Sequence, residues 1–179
     1  FNALLNNSTD HILISDHEGK SVVFNTAYAQ IMKEAIGLDM QSGIIPHKLV
    51  QDENFVKWWD NLHQRVLGGE SFRVEFSYPM PERGVRHFEF SYHPIVTDGK
   101  VTGFSEISRD ITERKQMEDA LRASEERYRT LVLAIPHGIQ ESDKEGKVTF
   151  SNPAHHRIQG YAEGEIVGKH IWDFVATEA

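Results

Sequence analysis

The 179 residues are 39% hydrophobic and 26% charged, a balance that suits one or two soluble globular domains. A net charge of −8 argues against a general nucleic-acid or anionic-membrane surface. The absence of cysteine excludes disulfides, zinc–thiolate centres, cysteine nucleophiles and any chromophore held by a thiol.

Residues 11–25, HILISDHEGKSVVFN, place an apolar run, a polar turn with Gly19 and a second apolar run in order, the pattern of a β-hairpin. Gly19 is expected to supply a positive φ. Residues 26–35 follow with Tyr28, Ile31 and Met32 at helical spacing. Residues 52–67 predict an amphipathic helix with Asp52 as N-cap and Phe55, Trp58 or Trp59, Leu62 and Val66 on one face. Gly68 and Gly69 end it. Three strands come next, over residues 72–78, 87–93 and 101–111. Their aromatic residues alternate with polar ones, as in an antiparallel sheet with one buried face. Asp98-Gly99 marks a hairpin between the last two. The first 111 residues thus predict an α+β domain.

Residues 108–131, SRDITERKQMEDALRASEERYRTL, pass from strand to long charged helix with no turn residue between them. Asp110 or Thr112 is expected to cap that helix, which runs over 113–135 until Pro136 stops it. Met117, Leu121, Ser124, Tyr128 and Leu131 form a heptad stripe suited to pairing with a second copy, or to packing on its own domain. Glu118 with Arg122 and Glu125 with Arg129 are spaced for i,i+4 ion pairs.

Shifted by 127 positions, the chain overlays itself without a gap. Ile12, Ser15, Asp16, Glu18, Gly19, Lys20, Asn25, Ala27 and Ile31 match Ile139, Ser142, Asp143, Glu145, Gly146, Lys147, Asn152, Ala154 and Ile158. Phe1 and Leu4 meet Tyr128 and Leu131. The chain is therefore read as two copies of one module, the second cut short after HIWDFVATEA. The second hairpin is expected to lack partners for its edges.

The stretches DHEGKSVVFNTAY, VLGGESFRVEF, HFEFSYHPIVTDGKVTGFSEISRDITERK and SDKEGKVTFSNPAH together resemble the PAS sensor family. Asp110-Ile111-Thr112 followed by Glu113-Arg114 resembles the motif that closes such domains and opens an output helix. The resemblance implies a five-stranded antiparallel sheet with helices on one face and a small-molecule pocket between them. It implies a first domain over 1–112, a connector over 113–135 and the start of a second domain over 136–179. It places the segment upstream of a histidine kinase, a cyclic-dinucleotide enzyme or a transcriptional output in the same polypeptide, with no catalysis of its own. A homodimer through the connector, an unidentified small-molecule ligand and a cytoplasmic location are expected. The chain opens at Phe1 without a signal pattern and reads as part of something larger, with or without a membrane anchor elsewhere.

Strand alternation turns Phe76, Phe88, Phe90, Tyr92 and Phe104 inward. The resemblance adds Leu13 and Ser15 on the first strand and Glu106 and Ser108 on the last. Tyr28, Met32 and Trp58 complete the expected pocket from the helices. Glu106 is read either as a hydrogen-bond partner for a ligand or as a rim residue that reaches water or an arginine. Asp110, Thr112, Arg114, Met117, Leu121 and Tyr128 are the expected relay residues. No cofactor is assigned. His63 offers a haem reading through the resemblance and non-covalent flavin needs no cysteine, but WWDNLHQRV does not match the haem-binding pattern. His87 and His93 share a strand face too far apart to clasp one metal, about 20 Å at the strand rise. His17-Glu18 and Gly68-Gly69-Glu70-Ser71-Phe72 mimic phosphoacceptor and cyclic-dinucleotide synthase motifs without the required setting.

Overall fold

A computed structural model describes residues 5–81, 83–162 and 164–174. The repeat positions Phe1 and Leu4, and the last five residues of the second module, lie outside that range. The chain divides into two compact units, Phe1–Gln116 and Met117–Ala179.

The first unit is built on one five-stranded sheet of order β2-β1-β5-β4-β3, antiparallel throughout. Its strands are β1 (His11–Asp16), β2 (Ser21–Phe24), β3 (Phe72–Met80), β4 (Gly84–Thr97) and β5 (Lys100–Asp110). Between β2 and β3 come helix α1 (Thr26–Ile36), a 3₁₀ turn (Pro46–Leu49) and helix α2 (Glu53–Leu67), which pack on one sheet face. This is the expected α+β architecture. β4 is longer than the stretch 87–93 read from alternation, because its ends pair beyond the core, from Met80↔Gly84 to Thr97↔Lys100.

Local chemistry sets the element ends. Asp16 Oδ1 accepts from the backbone N–H of Glu18 and of Lys20, both at 2.9 Å, and Gly19 takes φ 82° in the turn. Asp52 caps α2 by accepting from Asn54 and Phe55. Asp98 (φ 51°) and Gly99 (φ 74°) both sit left-handed, as a two-residue hairpin turn of the right twist demands. The core joins Trp59, Leu62 and Val66 of α2 to Phe88, Phe90, Tyr92 and Phe104 of the sheet.

Helix α3 (Thr112–Ala134) starts one residue earlier than expected and runs for 23 residues, about 34 Å of rise. Within the helix Arg122 pairs with Asp119 at 2.8 Å, three positions back, where i,i+4 spacing pointed to Glu118. Met117, Leu121, Tyr128 and Leu131 are exposed.

In the second unit, β6 (Gln140–Ser142) and β7 (Val148–Ser151) form a hairpin, followed by α4 (Pro153–Gln159) and a 3₁₀ turn (Ile171–Phe174). Asp143 repeats the turn of Asp16, accepting from Glu145 and Lys147. One hairpin edge is covered, contrary to expectation. Val148 donates to Lys169 and accepts from Gly168, and Lys147 bridges to His170. The returning loop also buries Ile166, which gives this short unit an apolar centre with Val148 and Ala154. No helix of the described residues is long and apolar enough to cross a membrane.

Candidate functional site

Asn25 is fully buried between β2 and α1. Its Oδ1 accepts from the N–H of Ile12 and Tyr28, and its Nδ2 donates to the carbonyls of Leu5 and Asp10. Asn152 makes the same four bonds 127 positions on, to Ile139, His155, Val132 and His137. One amide thus ties the segment before the hairpin, the first strand and the helix start together in each module. The repeat read from the sequence is a repeat of hydrogen bonds. In the second module it reaches back to Val132 inside α3.

A cavity lies between the sheet and the helical layer of the first unit. Counted as the space a water molecule's centre can reach, it measures about 80 Å³. Tyr28 and Met32 of α1, Phe76 of β3, Phe88 and Phe90 of β4, and Glu106 and Ser108 of β5 line it. Five expected residues do not. Trp59, not Trp58, faces the cavity; Trp58 stacks on Phe76 at 4.6 Å from the more open side of α2. Leu13, Ser15, Tyr92 and Phe104 point inward and are buried, but their part of the layer is filled. His63 occupies it, 4.6 Å from the Phe104 ring and 6.1 Å from that of Tyr92. The remaining walls come from His11, Pro46, His47, Val50, Phe55 and neighbours. The 3₁₀ turn has no periodicity to announce it, so no local pattern points to His47.

Glu106 is 1% exposed, which removes the rim reading. It stands opposite Leu13 of β1 and Tyr92 of β4. Its Oε2 accepts from the Tyr92 hydroxyl at 2.8 Å, and His63 Nε2 lies 3.8 Å from the same oxygen. Burial, reinforced by the Glu106 carboxylate, raises the Tyr28 and Tyr92 hydroxyls well above their ordinary pKa. His63 does not line the cavity, and its Nε2 faces Glu106, an arrangement unlike that of an iron ligand aimed into a pocket. Ser108 meets His11 Nδ1 at 3.0 Å. Burial lowers the pKa of His11 and of His47, whose Nε2 contacts Asp60 Oδ1 at 2.8 Å. Among the described residues, no three acidic or histidine side chains gather as a metal site.

At the end of β5 the chain enters α3 without a loop. The Ile111 N–H donates to the His87 carbonyl, and the His87 N–H donates to Thr112 Oγ1 at 2.9 Å. Asp110 Oδ1 accepts from the Thr112 N–H and pairs with Arg86 at 3.3 Å. The capping role therefore falls to Asp110, while Thr112 fastens the helix to β4. Arg114 and Lys115 both pair with Glu75 of β3. Of the other expected relay residues, Met117 and Leu121 are exposed, and Tyr128 donates to Glu141 at 3.2 Å. Gly103, which the sequence reading passed over, is needed where β5 crosses β1. A methyl there would overlap the Ser15 carbonyl oxygen.

A family model described as PAS fold matches residues 5–116, and one described as PAS domain matches residues 136–179. A probable diguanylate cyclase, DgcE, of Escherichia coli is 26% identical over 126 residues, covering 70% of this chain. The chain spans only 11% of the length of that relative. A sensory box histidine kinase/response regulator from Burkholderia thailandensis matches with a TM-score of 0.49 at 17% identity, over 73% of this chain and 98% of the other. The PAS domain of BvgS from Bordetella pertussis matches with a TM-score of 0.48 at 20% identity, over 70% and 94%. With a PAS model matching more than half of its length, the chain belongs to the PAS family of sensory domains.

Proposed function

We propose that the chain is a tandem sensory segment, with a first sensor over 1–112, a connector over 113–135 and a second sensor beginning at 136. A small molecule or other cue acts in the cavity of the first unit. The connector relays the change to an output in the same polypeptide, such as a histidine kinase or a cyclic-dinucleotide enzyme, and the segment itself catalyses nothing. The observation that carries this reading is covalent and geometric. β5 supplies Glu106 and Ser108 to the cavity wall, and two residues after its end the same backbone is α3. A displacement of β5 by a ligand is thereby delivered to the helix start, where the bonds through His87, Thr112 and Glu75 leave little slack. The exposed stripe of Met117, Leu121 and Leu131 supports a parallel pair of helices as the element that is moved. The segment is placed in the cytoplasm, where such outputs work.

Spin labels at Arg127 on α3, measured as an inter-copy distance with and without bound ligand, test this relay. Two copies with a distance that shifts on ligand binding support it; a monomer, or a distance that never changes, sinks it. The exposed stripe also supports a second reading, in which the first unit is a ligand-free dimerisation module. A native mass spectrum separates the two: dimer mass alone favours the second reading, and dimer mass plus a small molecule favours the first.

A further inference from the structure

We propose that the cavity of the first unit takes a small apolar molecule bearing an ammonium or other cationic nitrogen, with Glu106 as its anchor. The proposal rests on the reading of this cavity as a ligand site and names the ligand's class. Among the described lining residues there is no lysine or arginine, and Glu106 is the one carboxylate. The two wall histidines, His11 and His47, have pKa values pushed below 6.5, first by burial, and are mainly uncharged at neutral pH.

The carboxylate is under-compensated. Oε2 accepts one neutral hydrogen bond, from Tyr92, and among the described residues Oε1 accepts none. His63 Nε2, 3.8 Å from Oε2, is within ion-pair reach but beyond hydrogen-bond range, and it is buried without a hydrogen-bond partner. A buried carboxylate with so little around it calls for a cation or a strong donor. A cationic N–H that enters through the cavity supplies both. The rest of the wall is apolar and largely aromatic, Trp59 and Phe90 among it, so it accepts hydrocarbon and tolerates a cation over its ring faces. An anion would meet Glu106 with like charge, and no lysine or arginine among the described lining residues offsets it. The volume of about 80 Å³ limits the ligand to about one ring or a short branched chain.

Three one-ring probes test the class: benzylamine, benzyl alcohol and benzoate, each titrated calorimetrically into the full chain at neutral pH. Tryptophan fluorescence, to which Trp59 of the cavity wall contributes, gives a second readout. Benzylamine is expected to bind at least about tenfold more tightly than benzyl alcohol, the ratio a charge-assisted hydrogen bond supplies, and benzoate not at all. Glu106→Gln keeps the side-chain volume. It should bring the amine down to the alcohol and leave the alcohol within about twofold of its wild-type affinity. Equal binding of amine and alcohol, or a preference that survives Glu106→Gln, overturns the cationic class and leaves the cavity a ligand site. If no probe binds, the ligand-site reading falls as well. The wild-type comparison decides by itself should the variant not fold.

Discussion

The Tyr92 hydroxyl and the Glu106 carboxylate face each other across the β4–β5 register, 2.8 Å apart and both at 1% exposure or less. Tyr92→Phe removes the donor and strands the carboxylate, at an expected cost of about 1–3 kcal/mol to the first unit. Glu106→Gln should cost less, because an amide oxygen still accepts. Chemical denaturation of both variants and of the double mutant measures the coupling, expected at about 0.5 kcal/mol or more. A Tyr92→Phe protein as stable as wild type would contradict the pairing.

Thr112 is the fastening between α3 and the sheet. Thr112→Val keeps the shape and deletes the acceptor of the half-buried His87 N–H. A loss of about 1–2 kcal/mol is expected. Hydrogen exchange at the His87 amide should accelerate more than at amides mid-strand in β4. Equal protection before and after the change would show that Thr112 does not hold the junction.

The duplicated asparagines make a paired prediction. Asn25→Ala orphans two N–H groups and two carbonyls in the first unit, and Asn152→Ala does so at the equivalent places in the second. Each should destabilise its own module by more than 2 kcal/mol, roughly the cost of several stranded buried groups. Hydrogen exchange resolved by segment reads the two separately. Asn152→Ala alone should also release protection near Val132 at the end of α3.

The pH dependence follows from burial at His11 and His47. Both have folded pKa values below the ordinary 6.5, so between the folded value and 6.5 the unfolded chain binds more protons. Their contribution to stability is complete above pH 6.5 and is lost as pH falls through the folded values. Asp10, held low by its hydrogen bond from Arg109, acts in a separate window. Its contribution is present above 3.8 and lost as pH falls below that. Denaturation midpoints measured from pH 7.5 down to about 4.5 should therefore already decline before any carboxylate window is reached. A His47→Gln variant should show a shallower decline. Midpoints flat across that range would contradict the burial-driven shifts.

Much of this was legible in the chain because the causes are local. Asp52, Gly19 and Asp98-Gly99 act within a few residues of themselves, so capping and turn chemistry appear in the sequence as residue types at fixed offsets. Strand alternation told inside from outside at Phe88, Phe90 and Tyr92, since a pleat reverses direction at every residue. The 127-residue repeat sets Asn25 and Asn152 at equivalent positions, which the residue types alone make visible.

Tertiary structure alone decided which inward residues meet open space. Tyr92 and Phe104 point the same way as Phe90, yet His63 fills the layer in front of them. That depends on how α2 lies on the sheet, and nothing in the local pattern encodes it. The choice of Trp59 over Trp58, the recruitment of His47 from an irregular turn and the demand for glycine at Gly103 have the same origin. Each is set by a neighbour distant in sequence, through packing that only the assembled layers bring about.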